Sequence, residues 1–519
     1  MVLAVRVLAR FVREYLVRIL LVYPDLDTMV SYPVGMGLIS ACLREAGHDT
    51  RVVHLNQELG RPMDIASCEQ EARQYGPELV GFSCTSGQFK FVRQLAPLYK
   101  HWLNVPILCG GIHATVAPDE VLSTPGIDLI CRGEGEEAVV ELADALAHGR
   151  DWRAIHNLGY LQDGQATLNP LRPLVADLDR LPYPDRQRFD FGRIVELKRG
   201  FANLMAGRGC LFHCTYCVNN FFHKAYAGIA KGRQFTRMRS VGRVLGEIQE
   251  MLRFDTVRFI SFDDDLFTMD KAWLAGFCAE YKKSVRRPFG CNVRVTHFDD
   301  EIGRLLAEAG CQEVRIGVES GCEEIRRTVM GRRTSDQQIL QAFEQAEHAG
   351  LRAWSLNMIG VPHETWASIG KTVELNARLR AYIMRCAIFY PYPGTALHEY
   401  CKQHGLFNQD NLEKYVTHLE GTVLKLPDLS EADILKAKKL FKWMVDAASQ
   451  IELAGFYRQM VDYFMQLPDQ TWLDGRAQHL QVRIDQAVDE LFQLLRKEHY
   501  TTRKHIDLNF TPKLDFQLP

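Results

Sequence analysis

Three cysteines set the chemistry of this chain. Cys210, Cys214 and Cys217 lie in the run GRGCLFHCTYCVNN, spaced CxxxCxxC, directly after the strand-like segment ANLMAGRGC. A cubane iron–sulfur cluster takes one thiolate per iron, so three thiolates on one short loop hold three irons and leave the fourth without a nearby cysteine. An open iron can bind a substrate. Zinc competes for thiolates, but a structural zinc site needs a fourth close donor. The local candidates, His213 and His223, fall within and beyond the loop, and the spacing is not that of zinc motifs.

Other polar groups gather at the ends of strand-like runs. FDDDLF brings the carboxylates of Asp263, Asp264 and Asp265, CNVRV brings Arg294, and GVES brings Glu319 and Ser320. Carboxylates accept hydrogen bonds from ammonium and hydroxyl groups, and a guanidinium pairs with a carboxylate. The bland reading of the aspartate triplet is a turn or a helix cap. Further upstream, Ser83, Thr85 and Ser86, then Gly110, Gly111 and Thr115, then Gly133, Glu134 and Gly135 punctuate three loops. Turns need glycine for their own sake. Three such loops together point to a large polar ligand.

These residues need elements to place them. From Val17 to about Ala147 short β-branched runs (17–23, 50–55, 79–84, 105–111 and 128–133) alternate with helical stretches, as in a parallel, doubly wound Rossmann-like α/β sheet. Ligands bind such sheets beyond the carboxyl ends of the strands, where the three loops lie. A proline-rich, charged stretch over 163–195 reads as a linker. Repeated βα units over 196–405 predict a full or partial (β/α) barrel with its site at the C-terminal strand ends. From 406 to 519 the pattern is mainly helical, a cap; the helical spacing of Phe456, Tyr457, Tyr463 and Phe464 favours core over a pocket lining.

Composition narrows the class. The 519 residues exceed what one core supports, which predicts several domains. A formal charge of −2 gives no basic excess for nucleic acid. Fourteen scattered cysteines read as a reducing, cytoplasmic compartment and not as a disulfide scaffold. Arg6, Arg10, Arg13 and Arg18 cut every apolar run of the N-terminus below a membrane span, so residues 1–16 read as an extension; an amphipathic helix at the membrane surface is the alternative.

The cysteine motif, with the aromatic Tyr216 before its last cysteine, resembles the signature of the radical S-adenosylmethionine superfamily, and FDDDLF, CNVRV, AGCQEVRIGVESG, NMIGVPHET and FYPYPGTALHEYC match its barrel. The resemblance implies a 4Fe–4S cluster on Cys210, Cys214 and Cys217 that cleaves S-adenosylmethionine to a deoxyadenosyl radical. It also implies contacts to that cosubstrate from Tyr216, Asp263, Asp264, Asp265, Arg294, Glu319 and Ser320, and an electron donor such as flavodoxin or ferredoxin. The N-terminal motifs YPVGMGLISACLREAGH, GFSCTSGQF, GGIHATVAPDEVL and ICRGEGEEA resemble the cobalamin-binding domain fused to one branch of that superfamily. The cobalamin contacts implied are Ser83, Thr85, Ser86, Gly110, Gly111, Thr115, Gly133, Glu134 and Gly135. There is no DxHxxG, so neither His54 nor His113 is expected on cobalt, and His113 is expected at the corrin periphery.

Together the two carriers imply methyl transfer to an unactivated carbon of a small molecule, lipid or tetrapyrrole, since an sp³ carbon has no lone pair for polar methylation. Relatives with the same cofactors close or contract rings, and a non-catalytic cobalamin sensor is the reading from another class.

Overall fold

The computed structural model describes residues 16–26, 28–230, 232–415, 421–494 and 504–505. The amphipathic alternative for the N-terminal extension and most of the C-terminal tail lie outside the described residues. The chain divides into two compact units, one running to Leu211 together with Phe221–Phe259, the other formed by Phe212–Asn220 and the chain from Ile260 onwards.

The first unit contains the doubly wound sheet. Strands β1 (Arg18–Pro24), β2 (Asp49–Leu55), β3 (Leu79–Ser83), β4 (Ile107–Gly110) and β5 (Leu129–Cys131) are parallel, and β6 (Leu158–Gln162) and β7 (Gln165–Leu168) extend the sheet antiparallel, in the order β2-β1-β3-β4-β5-β6-β7. The first five strands are near-continuous apolar runs because helices such as Val34–Glu45 and Phe89–Leu103 cover them. Leu20, Val22, Val80, Val92, Leu95 and Ile107 are completely shielded in that core, each burial contributing roughly 1.5–3 kcal/mol. The β6–β7 hairpin was not predicted. Its two-residue turn is Asp163-Gly164, both with positive φ, 52° and 77°, the backbone that a primed hairpin turn demands.

The proline-rich stretch expected as a linker is packed. Val175, Leu178 and Leu181 cluster with Leu38, and the buried Asp185 carboxylate accepts from Ser40 Oγ and Arg44 Nη1 at 3.0 Å each. Beyond it the same unit carries β8 (Phe201–Leu204) and an antiparallel ribbon of β9 (Gly207–Arg208) and β10 (Arg237–Met238).

In the second unit β11 (Phe259–Phe262), β12 (Phe289–Val293), β13 (Cys311–Glu319), β14 (Arg352–Ile359), β15 (Ile383–Ile388) and the short β16 (Lys504–His505) lie side by side in chain order in an open parallel sheet. The barrel is therefore partial, a half-barrel, with helices such as Asp336–His348 and Trp366–Arg378 between strands, both entered through capping boxes. The C-terminal part is helical as predicted, with Glu431–Ala448 the central element. Tyr457 and Phe464 are core residues beside Trp443 and Trp472, whereas Tyr463 is 54% exposed. Trp443 has no exposed surface, meets Phe464 edge to face and donates its Nε1–H to Asp485 at 2.8 Å. Trp443→Ala is expected to cost roughly 3–5 kcal/mol, read as a lower urea midpoint by tryptophan-independent circular dichroism; an unchanged midpoint would show that the helical part does not depend on this core.

Candidate active site

The first unit presents the loops at the C-terminal ends of β1, β3, β4 and β5. Thr85, Gly111 and Ile112 are exposed there, Ile112 at 42%, and Gly110 and Gly111 put no side chain on the edge. A flat, partly apolar macrocycle with polar substituents fits such an edge. Several predicted contacts are instead internal fasteners. Thr115 is buried, its hydroxyl donating to Gly111 O at 2.9 Å and accepting from Gly133 N at 3.0 Å, so it ties two loops together. Thr85 N and Oγ1 donate to Gln88 Oε1. Ser86 Oγ meets His113 Nδ1 at 3.1 Å, and the His113 ring lies on Phe89 with centroids 4.2 Å apart. Ser83 Oγ borders the space that a Cβ at Gly111 would enter, and Gly135 packs against Cys131 and Ile39.

Asp25, which the sequence reading passed over, organises the end of β1. Its carboxylate accepts from Thr28 Oγ1 at 2.8 Å, Ser31 N at 3.0 Å and Gln88 Nε2 at 3.1 Å, with His54 Nε2 at 3.4 Å. A polar residue closing an apolar strand was its only signal.

Glu134 is a correction of a different kind. Its carboxylate is not offered to the edge but gripped by Arg208 Nη1 at 2.7 Å, Arg237 Nη1 and Nη2 at 3.0 and 2.9 Å, and Val175 N at 2.7 Å; Glu136 takes the other end of Arg208. Burial pushes the Glu134 carboxyl up, yet the two guanidiniums outweigh it and hold it below the ordinary carboxylate range. Arg208 precedes Gly209 and Cys210. Gly209 has φ 85°, and a Cβ there would lie 1.9 Å from Phe235 O, so only glycine fits between the anchored arginine and the cysteine. Cys210 O then meets His223 Nε2 at 2.8 Å, which occupies one of the two local zinc candidates.

In the second unit, neighbouring backbone and side chains hold the remaining cysteines. Thr215 fixes their loop, with N to Met330 O at 3.2 Å, Oγ1 to Val329 O at 2.6 Å, and O accepting from Leu397 N at 3.0 Å. Arg294 Nη1 donates to Cys214 Sγ at 3.5 Å while its guanidinium lies 3.6 Å over Phe212. Arg294 thus faces a cysteine sulfur, not an open position for a carboxylate. Asn219 Nδ2 donates to Cys217 Sγ at 3.7 Å, and burial pushes that thiol up to about 11. Thiols so placed ionise when a metal takes the sulfur. N–H donors on the sulfurs suit cluster thiolates, so the residues fit a 4Fe–4S cluster. Among the described residues no three His, Cys, Asp or Glu side chains converge to hold one metal ion.

Tyr216 accepts from Arg332 Nη1 at 3.1 Å, and the same atom pairs with Glu319 Oε1 at 3.1 Å while Arg332 Nη2 donates to Gly317 O at 2.7 Å. Burial, then the Glu319 charge, push the Tyr216 phenol well above its usual value, keeping it neutral. The geometry comes from a bulge in β13. Register shifts between Gly317 and Glu319, Glu319 takes φ 67°, and its carboxylate folds over Gly317, where a Cβ would meet it at 2.4 Å. Ser320 departs from expectation, since the same turn buries it fully and its hydroxyl accepts from Cys322 N at 3.2 Å. Asp263 accepts from Ser261 Oγ at 2.9 Å, Asp264 is buried, and Asp265 shares a hydrogen bond with Asn219. Glu364, in NMIGVPHET, closes the turn after β14 by accepting from Gly360 N, and burial pushes its carboxyl up to about 8.

Comparison with known proteins agrees with this layout. Residues 28–143 match the B12 binding domain, and 204–375 match the Radical SAM superfamily. An uncharacterized methyltransferase of Pyrococcus horikoshii is 28% identical over 430 residues, 81% of this chain and 90% of that one. The anaerobic magnesium-protoporphyrin IX monomethyl ester cyclase of Rubrivivax gelatinosus is 25% identical over 62% of this chain and 58% of its own length. The radical S-adenosylmethionine methyltransferase TsrM from Kitasatospora setae, solved with cobalamin and a 4Fe–4S cluster, shares the fold at TM-score 0.62 and 20% identity over 75% of each chain. OxsB, a cobalamin-dependent S-adenosylmethionine radical enzyme, shares it at 0.65 and 15% identity over 94% of this chain and 76% of that one. A B12-binding domain joined to a half-barrel with an intact three-cysteine loop defines a cobalamin-dependent radical enzyme, whose cofactors are a 4Fe–4S cluster, S-adenosylmethionine and cobalamin. The chain belongs to the cobalamin-binding radical S-adenosylmethionine enzymes.

The Glu134 contacts carry a pH signature. A carboxyl whose folded pKa is depressed contributes stability above its unfolded value, near 4.3, and loses it as pH falls through the folded value. Glu134→Leu leaves Arg237 with only Val175 O and Arg208 with only Glu136, and is expected to cost roughly 3 kcal/mol at neutral pH. Thermal melts of variant and wild type should converge as pH drops below about 4. Equal melting at pH 7 would show that the contacts do not stabilise the unit.

Proposed function

We propose that the protein transfers a methyl group to an unactivated carbon of a small-molecule substrate, with lipids and tetrapyrroles within the class, drawing electrons from a flavodoxin or ferredoxin. The observation that carries this is the pairing, in one chain, of a B12-binding domain with cysteines whose sulfurs already carry N–H donors from Arg294 and Asn219. When bound, the cluster and S-adenosylmethionine supply a hydrogen-abstracting deoxyadenosyl radical, and cobalamin supplies the methyl group.

Cys210, Cys214 and Cys217 would ligate three irons. Tyr216, fixed by Arg332, offers a neutral aromatic surface beside the last cysteine, and Glu319, held by the same guanidinium, is an acceptor for hydroxyls of S-adenosylmethionine. Asp263, Asp264 and Asp265 serve its ammonium group. Arg294 acts on the cluster sulfur instead of on a carboxylate. Ser83, Thr85, Gly110 and Gly111 form the edge for cobalamin, while Ser86, Thr115, Gly133, Glu134 and Gly135 shape the loops behind it.

Similarity to the cyclase supports a second reading, oxidative ring formation with the same cofactors. Anaerobic incubation of the reconstituted enzyme with cell extract and methyl-labelled S-adenosylmethionine separates the two. Methyl transfer predicts a labelled product together with 5′-deoxyadenosine, both lost in Cys214→Ala along with cluster iron. An unlabelled product short of two hydrogens, formed with deoxyadenosine, would overturn methylation in favour of cyclisation.

Cobalt is proposed to lack a protein histidine, because His54 and His113 are each only 3% exposed and turned to Asp25 and Ser86. Paramagnetic resonance of the cobalt(II) form should show no histidine superhyperfine splitting; splitting that disappears in His54→Ala or His113→Ala would refute this.

A further inference from the structure

Strand period turns Glu313, Arg315 and Gly317 of β13, Trp354 and Leu356 of β14, and Arg385 of β15 to one face of the half-barrel sheet, with Arg315 opposite Trp354, Gly317 opposite Leu356, and Leu356 opposite Arg385. The other face is occupied by Val314, Ile316, Ile359 and Ile388, the last two packed on the helix Glu431–Ala448 through Ile434 and Leu435. One face is an ordinary core. Its opposite holds four charged side chains, Glu313, Arg315 and Arg385 with Arg352 at the start of β14.

Two of those charges differ in their partners. Arg315 is paired, with Nη1 to Ser261 Oγ at 3.0 Å, Nη2 to Phe262 O at 2.7 Å, and Asp263 at 3.6 Å, its Nε alone being buried without a partner. Arg385 makes no side-chain hydrogen bond among the described residues. It lies 5.0 Å over the Trp354 ring, and its Nε is buried without a partner. Arg315 repels it and Glu313 attracts it, but burial pushes the Glu313 carboxyl up, against the pull of Arg315, Arg352 and Arg385. Arg385 is half-buried, and its guanidinium gives up part of its hydration without gaining a hydrogen bond from the protein. Its N–H groups are left to be met by water or by an incoming acceptor.

We propose that Arg385, levelled on Trp354, anchors an anionic group of the substrate, a carboxylate or a phosphate. A guanidinium presents a planar fork to either anion, and the indole face beneath it suits the adjoining carbon skeleton. Arg385 shares a row with Gly317, and the bulge sets Glu319 against Asn357, the residue after Leu356, so the anchor lies one row, roughly 3 Å, deeper along the strands than the Glu319–Arg332–Tyr216 cluster. Substrate would thus be held by its acidic end inside the half-barrel, its reacting carbon nearer the strand ends. The proposal rests on the methyltransferase reading for the identity of the bound molecule, not for the anion site itself.

Calorimetric titration of the reconstituted holoenzyme with decanoate and with inorganic phosphate tests the site directly. One of the two should bind to wild type and weaken roughly tenfold or more in Arg385→Gln, with partial recovery in Arg385→Lys and unchanged S-adenosylmethionine affinity; which probe responds identifies carboxylate or phosphate. Equal binding of both probes to wild type and Arg385→Gln overturns the anchor. So does a loss of S-adenosylmethionine affinity in Arg385→Gln, which would assign the arginine to the cosubstrate. In the labelling assay with extract, a wild-type product retained on an anion exchanger and reduced in Arg385→Gln supports the anchor, whereas an uncharged labelled product overturns it and leaves methylation standing. Arg385-dependent probe binding with no labelled product supports the anchor and overturns methylation.

Discussion

The position of Cys210, the first cysteine of the three-thiol loop, depends on an ionic lattice inside the first unit. Glu134 and Glu136 belong to the loop after β5, Arg208 and Arg237 to the ribbon that leads into Cys210, and the four interlock almost out of water. A buried lattice of this kind adds little net stability over an apolar replacement, but losing Glu134 leaves Arg237 without a carboxylate partner. It therefore favours one register over all others. With Arg208 fixed and Gly209 the only residue that fits the next position, Cys210 has little freedom left. The lattice also explains why the compact unit ignores the boundary between the two family matches: the loop of one supplies the counter-charges of the other.

Strain performs the corresponding task on β13. A non-glycine residue at φ 67° and a bulge are both unfavourable, and they persist only where surrounding contacts over-determine them. Here those contacts are Arg332 to Gly317 O, to Glu319 and to Tyr216. One guanidinium holds a strand, a carboxylate and the cysteine loop's aromatic residue together. Loss of that guanidinium would leave the Glu319 charge buried and the bulge unsupported, so site geometry and local stability are the same quantity at this point.

The parallel sheets and the cysteine loop were legible in the sequence because each rests on a local pattern: apolar runs covered on both faces, and three thiols within eight residues. The β6–β7 hairpin carried its own signal, Asp163-Gly164, but the proline-rich run beside it drew the reading toward a linker. Side-chain direction was not legible. Ser320 comes after a bulge, which reverses the face a residue would otherwise take, and Thr115 sits where a helix start aims its hydroxyl back at Gly111. Arg208 and Arg332 were invisible for another reason, since Arg208 finds Glu134 across 74 residues and nothing local distinguishes Arg332 from Arg333 beside it.

The same limit governs the half-barrel's charged face. Alternation in EVRIG announces a strand with one polar side, and a polar side usually means solvent. In this sheet it means a concave interior, where each charge must be answered by a partner within reach. Arg315 is answered by the ends of neighbouring strands, which makes it part of the architecture. Arg385 makes no side-chain hydrogen bond among the described residues and is supported by an indole face, so it is not tied into the architecture as Arg315 is. A guanidinium held over an indole and left without an acceptor from the protein presents its N–H groups to an anion, which is the role proposed for it.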